Sequence, residues 1–277
     1  MLKTRMVTAL ALLGLFLFAL ICLPLLGWAV FASLIVALAA WEWGGLLLWP
    51  PQKRFFLGGG FFLVCLLIFF TQPRAFGLLI GFDKSAWQLG RWFYIPAAVF
   101  WIVGAPLWMR QRWVLPRSEK GVLIGALVLL PAWLALIQLR HIGWLTLLVV
   151  MALVWLADSV AYFAGRAWGR NKLAPAISPG KTWEGAVGGG LAVVICGVAL
   201  AGYLPARIAS NPILLILLLL GLAAISIIGD LFESMLKRQA GLKDSSNLLP
   251  GHGGILDRID SLTSTLPVVA LAWLLLA

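Results

Sequence analysis

Charge is what this 277-residue sequence has least of: charged residues make up 11% of it, and only 10 are acidic. A soluble domain carries about 25% charged and about 45–50% apolar residues. Here 62% of the residues are hydrophobic and the mean hydropathy is +1.02, which excludes a soluble globular protein. Cysteine is scarce as well. Cys22, Cys65 and Cys196 all lie inside apolar runs, which excludes a disulfide framework and a metal-type cysteine pattern. No polar stretch is long enough to form a large soluble domain, and internal repeats of the kind common in transporters are absent. The few charges are lopsided, 21 Lys+Arg against 10 Asp+Glu, giving +11. In so apolar a chain that excess suits lipid headgroups and phosphates, and nucleic acid is not an expected partner.

What the chain does have is apolar runs, at roughly 7–23, 27–48, 56–71, 93–109, 121–138, 144–165, 185–204, 211–229 and 262–277. A spanning helix takes about 20 residues, so the runs predict an all-α, polytopic integral membrane protein with about nine transmembrane helices. Pro24, the Pro50-Pro51 pair, Pro73, Pro116 and Pro205 fall between runs, as helix punctuation should. Pro106 and Pro131 fall inside runs, which membrane helices tolerate. The first run follows Lys3 and Arg5, but its spanning length and the lack of an A-x-A site just after it argue against a cleaved signal peptide. Residues 75–82 are apolar but too short to span, and an interfacial position is expected for them.

Lys and Arg between these runs sum to 16 on one side and 5 on the other. Basic residues prefer the cytoplasmic side, so the N-terminus is expected in the cytoplasm and the C-terminus outside. Trp49, Trp92, Trp113, Trp144 and Trp183 lie near run ends and suit the headgroup level rather than a binding role. The triplets Gly58–Gly60 and Gly188–Gly190 read as close helix contacts, since neither is expected to follow a strand.

Seven of the ten acids lie between 158 and 260, and carboxylates at or inside spans usually mark function. Asp158 and Tyr162 are four apart and share a helix face. Downstream, Ser178-Pro179-Gly180-Lys181-Thr182-Trp183-Glu184 resembles a phosphate-binding turn before a helix start, although Ser178 or Thr182 serves equally as an ordinary cap. The denser cluster holds Asp230, Glu233, Ser234, Lys237 and Arg238, then Lys243 and Asp244, then His252-Gly253-Gly254 and Asp257-Arg258-Ile259-Asp260. Asp257 and Asp260 can face one pocket if their segment is helical. The glycines let backbone approach a ligand closely. Read singly, the cations serve as topology signals and His252 as a loop hydrogen-bonding residue. Carboxylates, a histidine and a glycine run have no part in topology sorting, so the set together points to a phosphate-handling site.

The pattern Ser234-x-Leu236-Lys237-Arg238-x4-Lys243-Asp244-x-Ser246-x2-Leu249-Pro250-x-His252-Gly253-Gly254-Ile255-x-Asp257-Arg258-Ile259-Asp260 resembles the signature of the phosphatidate cytidylyltransferases (CDP-diacylglycerol synthases), without departure. Ser178–Gly185 and Asp158-x2-Ala161-Tyr162-x2-Gly165-Arg166 are similar to two further motifs of that family. The resemblance covers about the last 120 residues. It divides one continuous membrane domain into N-terminal helices, 1–138, and a catalytic region with cytoplasmic motif loops, 139–277.

The resemblance implies the reaction of CTP with phosphatidic acid to give CDP-diacylglycerol and pyrophosphate, with a divalent cation such as Mg2+. It implies a multi-pass protein of a bacterial-type inner membrane, in contact with the lipid bilayer. A second, monovalent cation and a homodimer are left open. Asp230 and Asp257 match the family's metal-linked aspartates, with Asp260 and Asp244 in support. Lys237, Arg238, Lys243 and Arg258 are candidates for phosphate binding. Ser178, Lys181 and Thr182 form a second wall, with Asp158, Glu184, His252 and Gly253 as further candidates. Two readings compete: another CTP-dependent lipid enzyme, such as a polyprenol kinase or an ether-lipid cytidylyltransferase, and a transporter using Asp158 and Asp230. The D-G-x2-A-R motif of CDP-alcohol phosphotransferases is absent.

Overall fold

A computed structural model describes residues 2–79, 82, 84–204 and 206–276. Each expected span is a helix: α1 (Leu2–Cys22), α2 (Leu25–Leu46), α3 (Pro51–Thr71), α4 (Trp87–Gln111), α5 (Glu119–Ile142), α6 (Trp144–Trp168), α7 (Trp183–Ala199), α8 (Pro212–Gln239) and α9 (Leu256–Leu276). Seven, α2 to α6 with α8 and α9, are long and apolar enough to cross a membrane. Met6–Cys22 and α7 are shorter apolar helices. Asp83 and Pro205 lie outside the described residues, as do the side chains of Lys3 and Arg5.

Prolines and caps set the helix starts. Pro24 and Pro50 precede α2 and α3, and Asn211 caps α8 by accepting the Leu214 amide at 3.1 Å ahead of Pro212 at the first position. Inside α4, Pro106 cannot donate a backbone hydrogen bond. The ladder yields a π-turn at Phe100–Gly104, where the Ala105 amide reaches back to the Phe100 carbonyl.

Buried tryptophans join α2 to α5. Trp28 Nε1 donates to the Leu136 carbonyl at 3.2 Å, Trp43 Nε1 to the Gly121 carbonyl at 3.0 Å, and Trp133 Nε1 to Ser33 Oγ at 2.9 Å. Small residues join α6 to α7: a side chain at Gly188 or Gly189 would run into Ala157, Ala161 or Ala164. In the other triplet only Gly58 makes such a contact, against Ala37 and Trp41.

Four expectations change. First, the start of the 75–82 stretch packs inward: Pro73–Phe76 forms a 3-10 turn whose Phe76 packs on Phe69 and Trp133 in the core, while residues 80 and 81 lie outside the described residues. Second, α8 continues past 229 to Gln239 and α9 begins at Leu256 rather than 262. Falling hydropathy does not end a helix whose charges find partners on neighbouring helices. Third, 178–182 is not a turn. It is strand β2 (Ser178–Thr182), paired antiparallel with β1 (Lys172–Ala174), with Lys172 opposite Thr182 and Ala174 opposite Ser178. Fourth, Gly188–Gly190 therefore lies in a helix that does follow a strand, although its role is helix packing.

Candidate active site

Five segments meet at one face of the bundle: the ends of α2 and α4, the β1–β2 hairpin, the end of α8 and the start of α9. Gln239, at the end of α8, donates to the Trp113 carbonyl at 2.8 Å and accepts the Leu115 amide at 3.2 Å. Lys181 on β2 reaches Asp230 on α8, and Glu42 on α2 reaches the start of α9. The loops rich in Lys and Arg thus converge where the charge alternation placed them together.

Two lysine-centred groups form the middle of this face. In the first, Lys181 Nζ lies 2.5 Å from Asp230 Oδ2, and Ser234 donates to Asp230 Oδ1 at 3.2 Å. Asp158, on α6, accepts Ser226 Oγ from α8 at 3.3 Å and Ser261 Oγ from α9 at 3.1 Å, tying three helices together. Asp260 accepts the Ser261 amide at 2.7 Å, and its charge interacts with those of Asp230 and Asp158. Gly229 lets α8 and α9 approach here, since a side chain would strike Ser264 and the Asp260 carbonyl. In the second group, Lys237 Nζ donates to Asp257 Oδ1 at 2.6 Å and lies 3.2 Å from Glu233 Oε1. Asp257 Oδ2 accepts the Ser245 amide and hydroxyl, both at 2.9 Å, and the Gly254 amide at 2.8 Å.

The two aspartates expected at a metal, Asp230 and Asp257, therefore differ in setting. Asp257 meets Lys237, Ser245 and the Gly254 amide, whereas Asp230, among the described residues, meets only Ser234 and Lys181, and its charge interacts with those of Asp158 and Asp260. Among the described residues no three His, Cys, Asp or Glu side chains form a ready-made metal shell. The fit of the Asp158, Asp230 and Asp260 group to a divalent cation is one of charge and donor type: hard oxygens, three mutually interacting carboxylates and one lysine.

Other candidates have plainer roles. Thr182, 4% exposed, is a helix cap, its hydroxyl accepting the Gly185 amide at 3.1 Å. Glu184 is held by Asn171, which donates from its side chain at 2.8 Å and from its amide at 3.1 Å. Tyr162 points outward, so its shared face with Asp158 creates no joint site. Gly253 has φ +77°, and a side chain there would strike Asp257; Gly254 lies equally close to Glu42 and Ser245. The glycines let the backbone approach these two carboxylates, where a ligand contact was expected. His252 donates its amide to the Leu249 carbonyl at 2.8 Å, while its ring Nδ1 is buried without a hydrogen-bond partner among the described residues. Arg238, Lys243, Asp244 and Arg258 are exposed around the cluster, and Ser178 opens β2 half-buried.

Sequence reading missed Glu42 and Ser245 as members of the site, and it gave Glu233, though counted in the cluster, no role. Glu42, with no measurable exposure, accepts Ser246 Oγ at 2.6 Å and the Ile255 amide at 3.0 Å on Oε1. Its Oε2 accepts Ser245 Oγ at 3.1 Å and the Leu256 amide at 2.6 Å. The signal was available, because Glu42 is the first acid of the chain and lies within an apolar run.

Comparison with known proteins agrees with this chemistry. The model of the cytidylyltransferase family matches residues 3–276. The chain is 40% identical to the phosphatidate cytidylyltransferase of Pseudomonas aeruginosa over 281 residues, covering 99% of this chain and 97% of that protein. It is 35% identical to the protein of the same name from Haemophilus influenzae, over 96% of each. Over 122 residues, 44% of each chain, it is 50% identical to the one from Brucella abortus. With a match spanning almost every residue and relatives aligned nearly end to end, this chain belongs to the cytidylyltransferase family.

Proposed function

We propose that this protein transfers the cytidylyl group of CTP to phosphatidic acid, giving CDP-diacylglycerol and pyrophosphate in the lipid bilayer. The observation that carries the reading is the near-full-length likeness to proteins named for this activity. The lysine-and-carboxylate cluster at the ends of membrane helices gives that likeness a physical basis. The phosphatidate phosphate is already an anionic nucleophile. One of its oxygens forms the new bond to the α-phosphorus of CTP, the bond from that phosphorus to the β-bridging oxygen breaks, and pyrophosphate leaves. The barrier is repulsion between anions and charge growing on the leaving group, so positioning and electrostatics carry the rate.

In this proposal Lys181 and Lys237 supply fixed positive charge within the cluster, and Arg238, Lys243 and Arg258 gather phosphates at its rim. Asp158, Asp230 and Asp260 are the residues that would hold Mg2+. Such an ion supplies positive charge against the phosphate oxygens and the departing pyrophosphate. Asp257 serves by holding Lys237 and the 245–254 backbone in place. The basic face lies toward the cytoplasm of a bacterial inner membrane, where CTP is available.

CTP labelled at either its α- or its γ-phosphorus tests the reading. Purified protein given phosphatidic acid should move the α-label into lipid and leave the γ-label in pyrophosphate. Transfer of the γ-label to lipid, with polyprenol as acceptor, would identify a lipid kinase instead.

A further inference from the structure

The amino-terminal helices resemble spacers by composition, yet one of their carboxylates is built into the catalytic region. Glu42 lies more than 200 residues from its partners in sequence and is fully buried. It accepts hydrogen bonds from the Ser246 hydroxyl, from the Ile255 amide just before α9 and from the Leu256 amide at its first residue, and the Ser245 hydroxyl lies within reach of it as well. Ser245 is the link inward. Its single hydroxyl lies 3.1 Å from Glu42 Oε2 and 2.9 Å from Asp257 Oδ2, while its amide donates to that same Asp257 oxygen. The chain of contacts therefore runs from α2 through Ser245 to Asp257 and on to Lys237. A buried carboxylate is costly unless its oxygens are satisfied. Here the Ser246 hydroxyl, two backbone amides and a share of the Ser245 proton meet that need, and the anion sits at the N-terminus of α9, where unpaired amides favour negative charge.

We propose that Glu42 is a positioning residue of the transfer reaction: it fixes the 245–256 segment and, through Ser245, the orientation of Asp257 and Lys237. Its carboxylate touches neither CTP nor lipid. The inference rests on the proposed activity for its kinetic part and on geometry alone for its structural part.

Replacing Glu42 by Gln turns one acceptor oxygen into an amide that opposes two donors. Loss of charge-assisted hydrogen bonds of this kind corresponds to about a tenfold to hundredfold change in a local equilibrium. The test is hydrogen exchange on the full-length protein in detergent, with kcat and the KM for CTP measured alongside, for Glu42→Gln, Ser245→Ala and the double variant. Expected are exchange faster by about tenfold or more confined to residues 245–256, a lower kcat in both single variants, and a double variant no worse than Glu42→Gln alone. Ser245→Ala is small enough to fold normally, so the idea stays open to refutation if Glu42→Gln does not fold. Wild-type kcat and exchange in Ser245→Ala, independent additive losses, or faster exchange spread over all helices would each overturn it. If the wild type itself forms no CDP-lipid, the proposed activity fails, while the exchange pattern still decides whether Glu42 holds the segment.

Discussion

Replacing Asp257 by Asn removes one charge and almost nothing in volume. The native carboxylate accepts three hydrogen bonds on Oδ2 and the Lys237 ammonium on Oδ1. Asparagine has one acceptor oxygen. Placed at Oδ2, it keeps the Ser245 and Gly254 donors but turns its amide toward an ammonium 2.6 Å away. The opposite orientation sets the amide against three donors and is worse. The favoured orientation therefore breaks an ion pair whose side chains are 11% and 4% exposed. Removing one partner of a buried pair costs about 3–5 kcal/mol. Lys237 retains Glu233 at 3.2 Å, which places the cost near the lower end, about 3 kcal/mol. If that displacement of Lys237 is felt in the transition state, turnover falls by about a hundredfold or more. The assay is CDP-lipid formation by equal amounts of monodisperse wild-type and Asp257→Asn protein, with a thermal melt of each. More than a tenth of wild-type turnover in the variant would refute this role for Asp257.

Three further outcomes are expected. Thr182→Ala should lose about 1 kcal/mol of stability, seen as a lower melting temperature, with the KM for CTP unchanged, because its hydroxyl caps α7. Lys181→Met should raise the KM for CTP several-fold with little change in melting. Its contact with Asp230 leaves both side chains about a quarter exposed, where ion pairs add little stability. In a cysteine-free background, Cys placed at Gly180 and Gly202, both open positions, should react with an impermeant thiol reagent from opposite sides of the membrane. Labelling of both from one side would overturn the arrangement of spans.

Much of the fold was legible because apolar length and charge alternation act locally along the chain. The nine runs are nine helices, and the basic loops converge on one face. What stayed hidden involves partners distant in sequence. The last turns of α8 fall outside the apolar run because Asp230, Glu233 and Lys237 are charged; there those charges meet Lys181 and Asp257. Pro179 and Gly180 suggest a turn, yet antiparallel pairing of Lys172 with Thr182 and Ala174 with Ser178 makes the segment a strand. His252-Gly253-Gly254 stands out in the sequence, but its glycines answer to Asp257 and Glu42, and nothing near residue 254 in sequence announces a carboxylate at 42. Asp230, Lys237 and Asp257 were recognisable because charged residues at the ends of spans need a reason to be there.

The most direct test is pyrophosphate release by the purified protein in detergent, supplied with CTP, Mg2+ and phosphatidic acid, and with each omitted in turn. Release that requires all three, together with a CDP-lipid product, is the predicted result. Folded protein that releases no pyrophosphate from the complete mixture, or that releases it equally well without phosphatidic acid, would contradict cytidylyl transfer to that lipid.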